Sequence, residues 1–437
     1  MTEMNEELPR FDEPREFRPK RVRPHLCAVD TPGYEDLHPI WPVTAEGLRA
    51  YMRQLGDRGE CVSASYLYKQ RAYTNLLTHL AALPEKERPR LLARRIRQTY
   101  RVDGGLDDDG LYDLMGETLK TARNAVVEYN QRFIPEIFRA PFTSEGTLET
   151  KVDPVEIMME IKETPSLGLD PGDPRDYMLR MRLFSMRRDL VLGERLFHIW
   201  HTLQDITAGR PFEKFITDVL VERFFTPGAE RQFTVRVAVD RETGDPLRVL
   251  GPQEAAAPGE FVPVPMPCRY FKDRFGRQLP VFFDPGQKKP DAVLFKMMDQ
   301  KITDPLKLPD LFRFQMVFRD ECELGLGIQR LAEEVFPMVG SVSSMKDTRR
   351  GGEGGNPISD KGYRVINVNF TYDGYKFEGQ FHAFENYARS RLSKKPINHK
   401  QYERRRAREV LPMLNPAEIF GVDWANPDID AQVLAGG

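Results

Sequence analysis

Two acids, Asp310 and Glu378, stand in runs that alternate as strands do, and turns bearing lysine or arginine flank both of them. Asp310 opens Asp310-Leu311-Phe312-Arg313-Phe314-Gln315-Met316-Val317-Phe318-Arg319-Asp320, and Glu378 sits within Lys376-Phe377-Glu378-Gly379-Gln380-Phe381-His382. Carboxylates from separate strands, set among cations, suit a magnesium ion held on oxygen ligands with phosphates completing its shell. Phosphoryl and pyrophosphoryl transfer ask a protein mainly for positioning and charge neutralisation, and these residue types supply both. Taken alone, the same acids fit a purely structural role.

The elements that must position them are legible in part. Asp373-Gly374 lies between two alternating runs, and both turn positions of a type I′ hairpin need positive φ. That turn sets Tyr372 against Tyr375, Phe370 against Phe377, Asn369 against Glu378, Asn367 against Gln380 and Ile366 against Phe381. One face is then apolar and the other carries Asn367, Asn369, Glu378 and Gln380, a division that a one-residue slip would destroy. In the earlier strand, alternation places Asp310, Phe312, Phe314, Met316 and Phe318 on one face and Arg313, Gln315 and Arg319 on the other. Asp310, at the strand's opening, can reach round the sheet edge.

Upstream, residues 283–297 read as a strand end, a turn with Lys288 and Lys289, and a helix start carrying Lys296. Downstream come Lys346-Asp347, the run Arg349-Arg350-Gly351-Gly352-Glu353-Gly354-Gly355-Asn356-Pro357, then Gly362-Tyr363 and Glu378-x-Gln380. Asn398-His399-x-x-Tyr402 follows. In this order and spacing, residues 280–405 resemble the synthetase domain of the RelA/SpoT alarmone synthetases, a branch of the nucleotidyltransferase superfamily.

The resemblance implies transfer of pyrophosphate from ATP to the 3′-hydroxyl of a guanosine nucleotide, with magnesium as cofactor. Carried over by position, Asp310 and Glu378 hold the metal and Glu378 takes the hydroxyl proton. Lys288, Lys289 and Lys296 bind ATP phosphates, and Lys346 and Arg349 meet the developing charge. Tyr363 stacks on the acceptor base, and Gln380, Asn367 and His382 line the nucleotide site. The chain also departs from the family. Gln315 stands where an arginine is usual, Asn367 replaces a histidine, His382 replaces an arginine, and Ala292 takes the place of a helix serine. Each arginine lost removes a phosphate contact. Two further readings stay open: pyrophosphorylation of the tRNA 3′ end, as related toxins perform, and a degenerate domain that binds nucleotide or a partner without turnover. The glycine-rich run fits a phosphate-embracing loop or a plain surface connection.

A chain of 437 residues allows two or three domains, and its formal net charge of −2 provides no global field to recruit nucleic acid or anionic membrane. No run approaches the ~20 apolar residues of a membrane span, and the acidic N-terminus is unlike a signal peptide, so a cytoplasmic location is expected. Cys27, Cys61, Cys268 and Cys322 lie singly, which fits a reducing compartment. The expected class is α+β, an N-terminal helical domain followed by a nucleotidyltransferase-like mixed sheet flanked by helices. Residues 1–43 are expected to be disordered, 44–225 to form the helical domain, and 226–270 a β-hairpin connection. The nucleotidyltransferase-like domain would span 271–411, and a proline-punctuated tail, 412–437, would pack loosely or be partly disordered. His198 and His201 share a helix face and could ligate a metal, although no acid stands at ligand spacing and satisfied helix histidines fit as well. The basic run from Lys394 to Arg408 could touch phosphate or RNA, or be a solvated helix face.

Overall fold

The structure, a computed structural model, describes residues 75–100, 105–134, 153–164, 173–240, 246–250, 261–349, 364–392 and 399–416, less positions 210, 229, 301 and 303, with 102, 254, 420, 422–424 and 426 besides. The expected N-terminal segment 1–43 lies outside them. The fold is mixed α+β. Helices α1 (Arg88–Tyr100), α2 (Asp108–Phe133), α3 (Pro154–Glu163) and α4 (Pro174–Gly209) come first, and a turn at Pro211–Lys214 runs on as a π-helix, Phe215–Phe224. In α2, Leu111, Met115, Ala122, Val126, Tyr129 and Phe133 recur at near 3.6-residue spacing and are buried on one face. Asp107 accepts the Gly110 N–H at 2.8 Å to start the helix, and Ile134 turns extended ahead of Pro135, which excludes the α conformation before it.

One mixed sheet of eight strands follows, in the order β2-β1-β3-β4-β5-β8-β7-β6. Its strands are β1 (Arg231–Val239), β2 (Pro246–Val249), β3 (Phe261–Lys272), β4 (Gln278–Gln287), β5 (Phe312–Phe318), β6 (Ser341–Asp347), β7 (Ile366–Tyr372) and β8 (Tyr375–Ala383). Neighbours are antiparallel except β5 and β8, which run parallel. β1 pairs with β2, and β3 with β4, as antiparallel neighbours. The segment expected to be a mere connection instead extends the sheet, because β3 pairs with β1 on one side and β4 on the other. Helices α5 (Pro290–Asp299), α6 (Glu321–Glu334), α7 (Phe384–Leu392) and α8 (His399–Leu414) complete the chain, and no described helix is long and apolar enough to cross a membrane.

Phe312, Phe314, Phe318, Phe370, Phe377 and Phe381 fill one sheet face. The helical half roofs it directly, since the Phe215 ring lies 5.0 Å from Phe370 and Phe377 and 5.6 Å from Phe314. One continuous apolar core therefore joins the helices to the sheet. On the other face α7 seals a smaller cluster of Val237, Met266, Val317, Phe384 and Ala388. Both faces of β5 are thus covered, so Gln315 and Val317 are buried as well as the phenylalanines.

Of the tail 412–437 only part is described, and there Asn415 and Trp424 pack against the core. Asn415 is fully buried and exchanges amide hydrogen bonds with Asn130, at 2.9 and 3.3 Å, while Trp424 donates to the Asn415 carbonyl at 2.7 Å. Proline reads as a helix stop, but Pro412 sits inside α8 with Leu411 and Leu414 buried on either side.

Candidate functional site

Lys289 precedes Pro290 at the start of α5 in extended backbone, with no side chain capping the first-turn amides. Proline at the first helical position costs no hydrogen bond, so the basic turn feeds straight into the helix. Two turns in, Lys296 is almost fully buried and its ammonium contacts Asp310 Oδ2. Lys288 joins it from the other side: its backbone N–H reaches the Leu311 carbonyl at 3.4 Å and its ammonium lies 2.9 Å from the same Oδ2. Burial works against ionisation of Asp310, yet the two ammonium groups outweigh it and hold the carboxyl below its ordinary range. Burial also pulls Lys288 below the usual lysine value, with Asp310 offsetting part of that pull. Asp310 Oδ1 is buried with no hydrogen-bond partner.

Glu378 arrives on β8. All five cross-strand pairs expected of the hairpin form, from Tyr372 opposite Tyr375 to Ile366 opposite Phe381, and both turn residues take positive φ, 49° at Asp373 and 79° at Gly374. The residue between Glu378 and Gln380 is glycine for a steric reason, because a Cβ there would stand 2.8 Å from the Phe381 ring and 2.9 Å from Phe314. Gln380 Nε2 donates to Glu378 Oε2 at 3.2 Å and Gln315 Nε2 to Gln380 Oε1 at 2.6 Å. Burial, then the neighbouring charge of Asp310, raises the Glu378 carboxyl above its ordinary range. The two acids therefore share one electrostatic environment, in which Glu378 holds a proton more readily than a free glutamate does. Asn367 and Asn369 lie on the same face of β7, each with a buried amide oxygen that has no hydrogen-bond partner.

Other expected site residues stand apart. Lys346 pairs across β6 with Asn367, two strands or about 10 Å from Gln380. Arg349 follows β6 at roughly 16 Å beyond the level of Glu378, taking about 3.3 Å per residue. There it pairs with Asp347 at 2.7 Å and Glu321 at 2.9 Å. His382 is sealed beneath α7 with its ring 5.9 Å from Tyr387, so it does not face an open nucleotide site. Tyr363, with Arg350 and the glycine-rich run, lies outside the described residues. His198 packs against Tyr100, and burial drives its pKa down to about 4, while His201 stacks on Phe197. These are packing contacts on the helix interior. The residue that sequence reasoning missed is Arg313, which lies opposite Glu378 across the parallel β5–β8 pair and acts electrostatically on Lys288. Alternation had placed it on the correct face, but its neighbour appears only once β8 is known to run beside β5.

The donors fit magnesium in kind. Asp310 Oδ1 and Glu378 are hard oxygen ligands, and magnesium ordinarily takes one or two carboxylates with substrate phosphates and water. Among the described residues no three His, Cys, Asp or Glu side chains group into a metal cage, so a closed zinc- or calcium-type centre has no counterpart there. No protein-family model, curated protein or solved structure matches the chain.

Proposed function

We propose that the chain is a magnesium-dependent nucleotide pyrophosphokinase of the RelA/SpoT type, built as a helical domain followed by a nucleotidyltransferase-like sheet. It transfers pyrophosphate from ATP to the 3′-hydroxyl of a guanosine nucleotide. The observation that carries this reading is the constellation of buried Asp310 and Lys296 with half-buried Glu378 and Lys288 at the opening of the parallel β5–β8 pair. Glu378 accepts the proton of the 3′-hydroxyl, whose oxygen forms a bond to the β-phosphorus. The bond from that phosphorus to the α-phosphate oxygen breaks, and AMP leaves. Lys288, Lys289 and Lys296 neutralise the phosphate oxygens, and Gln380, fixed by Gln315, orients Glu378 through its amide. Asp310 and Glu378 would hold magnesium, which when bound would neutralise charge on the phosphates.

A second reading, a nucleotide-binding domain without turnover, is favoured by one observation: both lysines are spent on Asp310 and His382 is sealed away. Incubation of the protein with magnesium, labelled ATP and each of GDP, GTP, ADP and deacylated tRNA separates the readings. AMP release that depends on GDP or GTP supports the proposal. Release only with tRNA moves the acceptor to the tRNA 3′ end, and no release with any acceptor leaves the binding module.

A further inference from the structure

We infer that the Asp310 cluster binds the polyphosphate of a nucleotide without a divalent cation, and opens its metal site only in exchange for that anion. The inference rests on the assignment of Asp310 and Glu378 to a nucleotide site. Its basis is the geometry of the clamp. Both ammonium groups meet on one oxygen, Oδ2 of Asp310, from side chains only 14% and 8% exposed. A bare divalent ion on the unpartnered Oδ1 of Asp310 would lie beside the two ammonium groups held on Oδ2, and within a poorly solvated cluster that repulsion is weakly screened.

Formal charges point the same way. Asp310 and Glu378 are set against Lys288, Lys296 and Arg313, which leaves one positive charge in excess. Lys289 adds an exposed cation at the start of α5, where the first-turn amides have no side-chain cap. Helix amides and lysines at one point make a natural seat for phosphate oxygens. When a polyphosphate draws the ammonium groups away, Asp310, Glu378 and the phosphates form a purely anionic ring of oxygens, and a hard cation then becomes the missing partner. Anion and metal are thus coupled through the lysines, and coupling of this kind is reciprocal.

The test uses the full chain and two probes, ATP in excess EDTA followed by calorimetry, and Mn²⁺ followed by the loss of its free-ion electron spin resonance signal. Wild type is expected to bind ATP in EDTA and to leave Mn²⁺ free when no nucleotide is present. Lys288→Met is expected to weaken metal-free ATP binding tenfold or more and to bind Mn²⁺ alone, because one clamp cation is gone. Wild type taking up Mn²⁺ as well as Lys288→Met does, or binding ATP only with metal, overturns the inference. The wild-type titrations decide the matter by themselves if the variant fails to fold. ATP binding and AMP release seen only with metal leave the pyrophosphokinase reading standing; absence of ATP binding under both conditions ends both.

Discussion

Phe377→Ala and Glu378→Gln change adjacent residues of β8, yet the structure gives the two substitutions opposite consequences for stability. Phe377 has no exposed surface, and its ring centroid lies 5.0 Å from Phe215, 5.2 Å from Phe312, 5.4 Å from Phe370, 6.1 Å from Phe212 and 6.2 Å from Tyr372. Truncating a buried phenylalanine costs about 3–5 kcal/mol, and ring pairs add roughly 0.5–1.5 kcal/mol each beyond area, without simple additivity. With neighbours from four elements around the void, the expected loss is at the upper end, about 4–5 kcal/mol. Glu378 points the other way. Burial first, and then Asp310, raise its carboxyl, so the ionised form is disfavoured in the fold. A raised acid costs stability as pH climbs from its unfolded value through its folded value; glutamine carries no such cost. Glu378→Gln should therefore match or exceed wild type at about pH 8, with the difference shrinking toward about pH 5. Equilibrium urea unfolding followed by far-ultraviolet circular dichroism measures both. The reasoning fails if Phe377→Ala costs under about 1 kcal/mol, or if Glu378→Gln loses more than about 2 kcal/mol at the higher pH.

Asp310→Asn leaves two buried ammonium groups facing a neutral amide and should cost about 3–5 kcal/mol in urea unfolding, whereas replacing all three with Lys288→Met, Lys296→Met and Asp310→Leu should recover most of that loss. Asn415→Leu strands the Asn130 amide inside the helical half, and a cost of about 1–3 kcal/mol is expected; an unchanged unfolding midpoint would show that the tail adds nothing. Burial lowers His198 to a pKa of about 4, so its imidazole resonances should not titrate between about pH 6 and 8, and a midpoint in that window would contradict the packing described.

The hairpin was readable because two local rules agreed: Asp373-Gly374 fixed the turn, and the alternation of Phe370, Phe377 and Phe381 fixed the face. The α2 boundaries were readable for a similar reason, with Pro135 excluding helix at Ile134. What escaped were facts of long-range pairing. Nothing local to residues 226–270 tells whether their strands end as a hairpin or join β4, since that depends on which edge β3 meets. The resemblance cast Lys288 and Lys296 as phosphate ligands, and only the fold shows both ammonium groups on Asp310. His382 carries no mark in sequence that α7 will fold back over it. Asn415 misled in the opposite sense, since a residue typical of loose tails is held here by Asn130, 285 positions away.

Pyrophosphoryl transfer at Asp310 and Glu378 is tested most directly by mass analysis of the products when wild type and Glu378→Gln are given magnesium, ATP labelled at the β-phosphate, and GDP or GTP. The prediction is AMP together with an acceptor carrying the labelled pyrophosphate on its 3′-oxygen for wild type. Glu378→Gln, folded as stably, should yield less product by a factor of roughly 10² or more. Label appearing only in ADP, or equal product from the two proteins, would contradict the assignment of Asp310 and Glu378 to a pyrophosphoryl-transfer site.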